Sequence, residues 1–400
     1  MSGASVDQSI VTPIARAGLG ERIARSKRGQ SLLRRVLYWL SRNKPFRFKG
    51  KVYPARYAHV REALCRDLDF IIAPINESKI QEVNAGPFVL GMDRSAVLER
   101  ERRALYSALD AVDMDALCRG VEDEIETVLE SVPPGGTIDA VGGYARPIAA
   151  HTAQRLFGIT GDSDRMFMEV TRSIFAHTFL NLGNDETIRQ RAIRAGAYMT
   201  RWFAEEIARR GPGNPGSDMM GALISQGIVN ADGARRTLGG MLVGSVDTTA
   251  TCVAKVLKVA AGEPDLLRRM ERDSGDLGKL HGWCNEALRR WPHNPLVLRQ
   301  AAVDCELGGR RVKAGDTLWV MTLSAMHDPS VFPAPEQLRP DRDPGIYLHL
   351  GEGLHPCSGR PVNRCQIPLL VGGLLRRGIA RVGKVGWTGP FPGTLPVTLR

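Results

Sequence analysis

The stretch Leu350-Gly351-Glu352-Gly353-Leu354-His355-Pro356-Cys357-Ser358-Gly359 decides how the chain is read. A cysteine stands among glycines, with a histidine two positions before it. The run after it, from Arg360 to about Arg377, is apolar at helical spacing and predicts a helix. A thiol at a helix start meets the positive end of the dipole and backbone N–H groups without intrahelical partners, and both favour the thiolate. Glycines let the backbone turn tightly and let a flat cofactor come close. Thiolate, close approach and amide donors aimed at sulfur together describe an axial cysteine ligand to haem iron. The competing reading is a structural cysteine buried in a glycine-rich turn.

The 400 residues suffice for two average domains or one large one. Hydrophobic content of 43% and charged content of 24% are those of a soluble globular protein with a sizeable core. The seven cysteines are scattered and odd in number, and none has C-x-x-C spacing, so neither a disulfide framework nor a zinc site is expected. That fits a reducing cytoplasm. No secretory signal and no run of 18 apolar residues is present, so no transmembrane helix is expected. The net charge of +11 is uneven: Arg16 to Lys51 holds twelve Lys and Arg against the single acid Glu21, and 12 − 1 = +11. Ser31 to Leu40 can form a basic amphipathic helix, suited to an anionic membrane surface or an acidic partner, or else a solvated helix partly packed on the protein. No nucleic-acid-binding fold or aromatic-basic array accompanies the charge.

The 350–359 loop resembles the haem-binding loop of the cytochrome P-450 superfamily, F-G-x-G-x-H-x-C-x-G, with Leu350 in place of the leading phenylalanine. Other segments extend the resemblance over roughly residues 50–400. Gly244-Ser245-Val246-Asp247-Thr248-Thr249 resembles the family's central-helix signature [A/G]-G-x-[D/E]-T-T, with Ser245 for the usual glycine. Glu286-Ala287-Leu288-Arg289 is an E-x-x-R motif, which alone occurs by chance in many helices; its positions share one helix face, so an ion pair is reachable. Ser324 to Arg342 is similar to the family's A-N-R-D-P-x-x-F-x-x-P-x-x-F-x-P-x-R segment.

The resemblance implies a mainly α fold, a triangular helical domain with small β-sheets, in which residues 51–400 form a single haem domain behind a basic extension, 1–50. It implies haem b (iron protoporphyrin IX) with Cys357 on iron, and His355, Gly351, Gly353 and Gly359 in the cofactor loop. Arg299 and Arg102 fall at propionate-binding positions; Leu98 stands where a second propionate donor, a histidine, is usual. Glu286, Arg289 and Arg342 form a structural network bracing the cysteine loop. Asp247 and Thr248 handle proton delivery to iron-bound dioxygen, for which an alcohol beside a carboxylate on a locally opened helix is suited. Serine bonding back to the preceding turn, like glycine, favours that opening. The implied activity is a haem-thiolate monooxygenase acting on a small or medium organic substrate, with dioxygen and a separate ferredoxin or flavodoxin. The alternatives are a peroxygenase or substrate-rearranging enzyme without an external electron donor, and a non-catalytic binding member.

Along the chain, residues 1–20 read as loosely structured, Phe46–Tyr53 as a strand and Ala55–Cys65 as a helix. Residues 70–92 read as a long loop. Helices are expected over Met92–Leu109, Asp139–Gly158, Ser163–Asn181, Glu186–Arg210, Ala231–Ala261 and His281–Trp291, with a turn at Pro212–Gly216. Strands are expected at Pro295–Arg299, around Cys305–Val312, and at Thr317–Val320. His151 reads as a core or surface residue, His327 and His349 as surface residues.

Overall fold

The structure, a computed structural model, describes residues 6–11, 32, 35, 36, 38–40, 42–210, 213, 215–388 and 391–400. Helices carry most of them and small sheets accompany the helices, as the mainly α class requires. No described helix is long and apolar enough to cross a membrane. The chain forms two compact units, one of residues 1–14, 76–254 and 358–400, the other of residues 15–75 and 255–357.

In the first unit, polar residues set the helix starts. Ser95, Asp113, Ser163, Asp218 and Asn230 each accept a hydrogen bond from the backbone N–H three residues on. This satisfies donors that a helix start leaves open. The helix expected from Asp139 begins later. Thr137–Asp139 is a strand paired with Pro396–Leu399, and the Asp139 carboxylate accepts from Val141 and Leu395 N–H at 3.1 and 2.7 Å. A π-helical turn, Val141–Ala145, then leads into the helix Arg146–Phe157, which carries Pro147 in its first turn and stops at Gly158 with φ 69°. His151 on this helix is half-buried between Glu124 and Asp164, whose carboxylates raise its pKa to about 9.

Two expectations fail in this unit. Residues 6–11 are packed: Ile10 is fully buried, Ser173 Oγ donates to its carbonyl, and Tyr198 Oη lies 3.2 Å from Asp7 Oδ2. Residues 12–20 and the Pro212 end of the expected turn lie outside the described residues. The cysteines are also not all free, because Cys118 and Cys365 form a disulfide with Cα atoms 6.2 Å apart. The cause is helix packing. Helix Met114–Glu130, not foreseen from sequence, buries Leu117, Val121, Ile125 and Leu129 on one face. Gly373 of helix Arg360–Arg376 lies so close that a Cβ there would fall 2.5 Å from Ile125 Cγ2.

The second unit is built on a five-stranded sheet in the order Phe46–Phe48, Lys51–Tyr53, Thr317–Val320, Val297–Ala301, Phe70–Ile71. The expected strand at 46–53 is a hairpin, turning at Lys49 and Gly50 with φ 46° and 72°. Val52, Leu318, Val320 and Ala301 join Tyr57, Val60, Phe332 and Tyr347 in its core. The expected loop at 70–92 instead holds a short strand and the helix Ala73–Asn84, whose Pro74 sits in the first turn, where no N–H is lost. His327 is buried rather than on the surface, with Nδ1 2.9 Å from the Leu323 carbonyl, and burial lowers its pKa.

Helix Leu277–Arg290 carries the fully buried pair Glu286 and Arg289. Glu286 Oε1 accepts from Arg289 Nε and Tyr347 Oη, both at 2.8 Å; Oε2 accepts from Arg289 Nη2 at 2.9 Å and the Arg339 N–H at 3.0 Å. Arg342 Nε stands 3.4 Å from Oε1, and its Nη2 donates to the Pro333 carbonyl at 2.8 Å. Burial pushes the Glu286 carboxyl pKa up, but the bonds and charge of Arg289 outweigh it and hold the group below its usual range. The same carboxylate and burial push the Tyr347 phenol up.

Two outcomes follow from this packing. Thiol titration of unfolded, unreduced protein should find five free cysteines of the chain's seven, rising to seven after reduction; seven without reductant would remove the Cys118–Cys365 bond. Glu286→Ala strands Arg289 and Tyr347 without their acceptor and should cost about 3–5 kcal/mol in urea unfolding. A change below about 1 kcal/mol would show the network contributes little.

Candidate functional site

The cysteine loop belongs to the second unit. The Cys357 N–H donates to the Leu350 carbonyl at 2.7 Å, closing the stretch on itself. Gly351 and Gly353 hold φ of 70° and 75°, a region that disfavours side chains. A Cβ on Gly353 would fall 2.2 Å from the Leu64 carbonyl oxygen, and one on Gly351 3.2 Å from that of His355. Glu352 is tied by Arg61 at 2.7 Å. Cys357 is partly exposed and outside any disulfide, and its helix begins in the chain at Arg360, after Gly359 as cap. Of the other cysteines outside the disulfide, Cys252 and Cys284 are buried, while burial raises the pKa of Cys65 and Cys305. Among the described residues no cluster of three or more His, Cys, Asp or Glu could hold a metal ion. A compact loop with one cysteine outside any disulfide and glycines where side chains will not fit suits a single thiolate to a flat, metal-centred group.

The first unit holds the acid–alcohol motif. The expected helix Ala231–Ala261 is interrupted: Ala231–Val243 ends, Gly244 to Val246 form a bend, and a second helix starts at Asp247. Ser245 Oγ donates to the Leu242 carbonyl at 2.7 Å, Thr248 Oγ1 to that of Gly244, and Thr249 Oγ1 to that of Ser245 at 2.8 Å. Hydroxyls thus supply bonds to the carbonyls at the interruption.

Asp247 is 3% exposed, and its Oδ1 accepts from Arg172 Nε at 2.9 Å and lies 3.3 Å from Arg146 Nε. Its Oδ2 is buried without a hydrogen-bond partner. Arg172 stacks over Phe391 at 5.3 Å, and Arg146 also reaches Glu169 and the Met168 carbonyl. Sequence reasoning missed both arginines. The only available signal is that an acid in an apolar helix run demands a buried cation, which does not say which one.

The remaining residues are placed individually. Arg102 is half-buried on helix Ala96–Asp110, its guanidinium over Tyr106 at 5.3 Å. Leu98 is 1% exposed, an apolar core position on the same helix. Arg299 is 5% exposed on strand Val297–Ala301, with Nη1 2.8 Å from the Leu298 carbonyl. His355 and His349 are both partly exposed. Glu286, Arg289 and Arg342 come together; Asp247 and Thr248 are adjacent at one helix start.

Comparison with known proteins places the chain. The Cytochrome P450 family model matches residues 218–377. Biflaviolin synthase of Streptomyces coelicolor is 30% identical over 258 residues, which span 63% of this chain and 60% of that protein. Cyclooctat-9-en-7-ol 5-monooxygenase of Streptomyces melanosporofaciens is 24% identical, covering 76% of this chain and 73% of its own. Among solved structures, P450BioI, in complex with an acyl carrier protein carrying a fatty acid, superposes with TM-score 0.80 at 18% identity, over 96% of this chain and all of that one. CalO2 does so with TM-score 0.78 at 23% identity, covering 94% and 98%. The cysteine loop, the interrupted helix and the buried carboxylate network thus sit in a fold shared with these solved structures, and residues 218–377 match the Cytochrome P450 family model.

Proposed function

We propose that this chain is a haem-thiolate monooxygenase that inserts one atom of dioxygen into a small or medium organic substrate, with electrons from a separate ferredoxin or flavodoxin. The observation that carries the reading is the interrupted helix, where Thr248 stands beside a carboxylate pinned by Arg172 and Arg146. The monooxygenase and hydroxylase names of relatives support it. Haem b would be held by Cys357, with His355 in the same loop and Arg102 and Arg299 as propionate donors. When bound, haem supplies an iron that binds dioxygen, and the thiolate pushes electron density onto it.

The chain's own residues then manage protons. The Thr248 hydroxyl is parked on the Gly244 carbonyl, and rotation about χ1 frees it to hold a water. Asp247 Oδ1 is taken up by arginine, so the buried Oδ2 is the atom left to accept a hydrogen bond from a water or a hydroxyl. The two arginines keep the carboxylate oriented. Ser245 likewise has its hydroxyl engaged, with the Leu242 carbonyl, and Thr248 is the donor next to the acid in sequence.

Cys357→Ser should abolish the long-wavelength Soret band of the ferrous carbonyl complex, and a protein that kept the band would overturn the ligand assignment. Thr248→Ala should still consume NADPH through ferredoxin and its reductase but release peroxide, with product per NADPH falling steeply. General acid–base contributions are about 10²–10⁴-fold, so the loss is readily measured. Full coupling in Thr248→Ala and in its combination with Ser245→Gly, together with turnover on hydrogen peroxide alone, would replace the monooxygenase reading by the peroxide-driven one.

A further inference from the structure

The sheet of the second unit has an outer face that the proposed reaction does not use. Strand register fixes its members: Phe46 pairs with Tyr53, Phe48 with Lys51, Lys51 with Thr317, and Trp319 with Leu298. Side chains alternate across a strand, so the intervening Val52, Leu318 and Val320 point the other way, into the core. Four aromatic rings form a row on the outer face. Centroids are 6.2 Å apart from Phe48 to Phe46, 5.8 Å from Phe46 to Tyr53 and 6.1 Å from Tyr53 to Trp319. Phe46 and Phe48 are each 55% exposed. Lys49 lies over the Phe48 ring at 5.3 Å and Lys51 over Trp319 at 5.4 Å.

Just before this hairpin in the chain, Leu32, Val36 and Trp39 stand exposed at helical spacing, and Asn43 Nδ2 donates to the Trp39 carbonyl at 2.6 Å. Five of the ten large hydrophobic side chains exposed among the described residues therefore fall between Leu32 and Phe48. Such concentration marks a contact surface rather than ordinary scatter. Arg35, Arg42, Lys44, Lys49 and Lys51 are exposed in the same stretch, while Arg47 is taken up by Asp316 at 2.7 Å. From Arg22 to Arg61 the sequence has no Asp or Glu.

We propose that this face docks the protein on an anionic lipid bilayer, with the aromatic rings at headgroup depth and the lysines reaching phosphates. Charge complementarity requires an anionic occupant. The pairing of rings with flexible lysines favours lipid over protein: protein interfaces are depleted of lysine, whereas at a bilayer long cationic side chains extend to the phosphates while aromatic rings sit among the headgroups. The inference stands independently of the reaction.

Holoprotein is sedimented with phosphatidylcholine vesicles with and without phosphatidylglycerol. Binding should need phosphatidylglycerol and should weaken about tenfold or more as salt is raised. A Trp39→Ser, Phe46→Ser, Phe48→Ser variant and a Lys44→Glu, Lys49→Glu, Lys51→Glu variant should each bind about tenfold or more weakly, with parental haem spectrum and thermal unfolding. The lysine variant alters only exposed groups, so it tests the idea even if the aromatic one folds poorly. Quenching of tryptophan emission by brominated lipid should fall when Trp39 is replaced, the remainder coming from Trp319. Failure to bind anionic vesicles, equal binding to neutral ones, or parental binding by the lysine variant overturns the proposal. So does loss of affinity for an acidic ferredoxin with vesicle binding intact, which would assign the face to a protein.

Discussion

A carboxylate with no exposure to water organises the second unit. An ionised Glu286 inside the protein is tolerable only if its oxygens are filled, and they are, by Arg289, Tyr347 and the Arg339 backbone, with Arg342 close by. Each partner comes from a different place. Arg289 lies one turn along the same helix, Arg339 and Arg342 end the Pro-rich segment, and Tyr347 stands ten positions before Cys357 in sequence. Satisfying one charge therefore fixes where three stretches meet. The cysteine loop leaves Tyr347 with little freedom, and Gly353 then passes the Leu64 carbonyl at a distance only glycine permits. The buried charge, which must not be left unpaired, thus anchors Tyr347, from which the chain runs on to the cysteine loop.

What could be read from sequence divides along the same line. Glu286 and Arg289 are three apart on one helix, and the glycines of the 350–359 loop are needed by local backbone, so both announce themselves in the string of residues. The opening at Gly244–Val246 was legible for the same reason: the hydroxyls that bond its carbonyls lie three or four positions away. What could not be read depends on chains meeting in space. Cys118 and Cys365 are separated by 247 positions, and only the packing of their helices brings them to bonding distance. Ile10 is buried because Ser173, Arg194 and Tyr198 receive its neighbours, and nothing in residues 6–11 announces that. Residues 70–92 misled because prolines and glycines suggest loop, although proline in the first turn of a helix costs nothing.

Asp247 shows where local and distant information combine. Its place beside Thr248 is a matter of sequence, but its state is set by arginines from two other helices. With Arg172 and Arg146 on Oδ1, the two oxygens become unequal: one committed, one buried and unsatisfied. An unsatisfied buried acceptor is costly, of the order of 1–3 kcal/mol, and structures keep such groups mainly where something else is to bind them. The adjoining interruption is held by hydroxyl groups that can rotate away from their carbonyls, unlike a backbone bond. A fixed acceptor thus stands beside donors in the sequence that can move without the helix itself being rebuilt. The serine at position 245 fits this arrangement, since its hydroxyl bonds the turn that a glycine would merely have allowed to open.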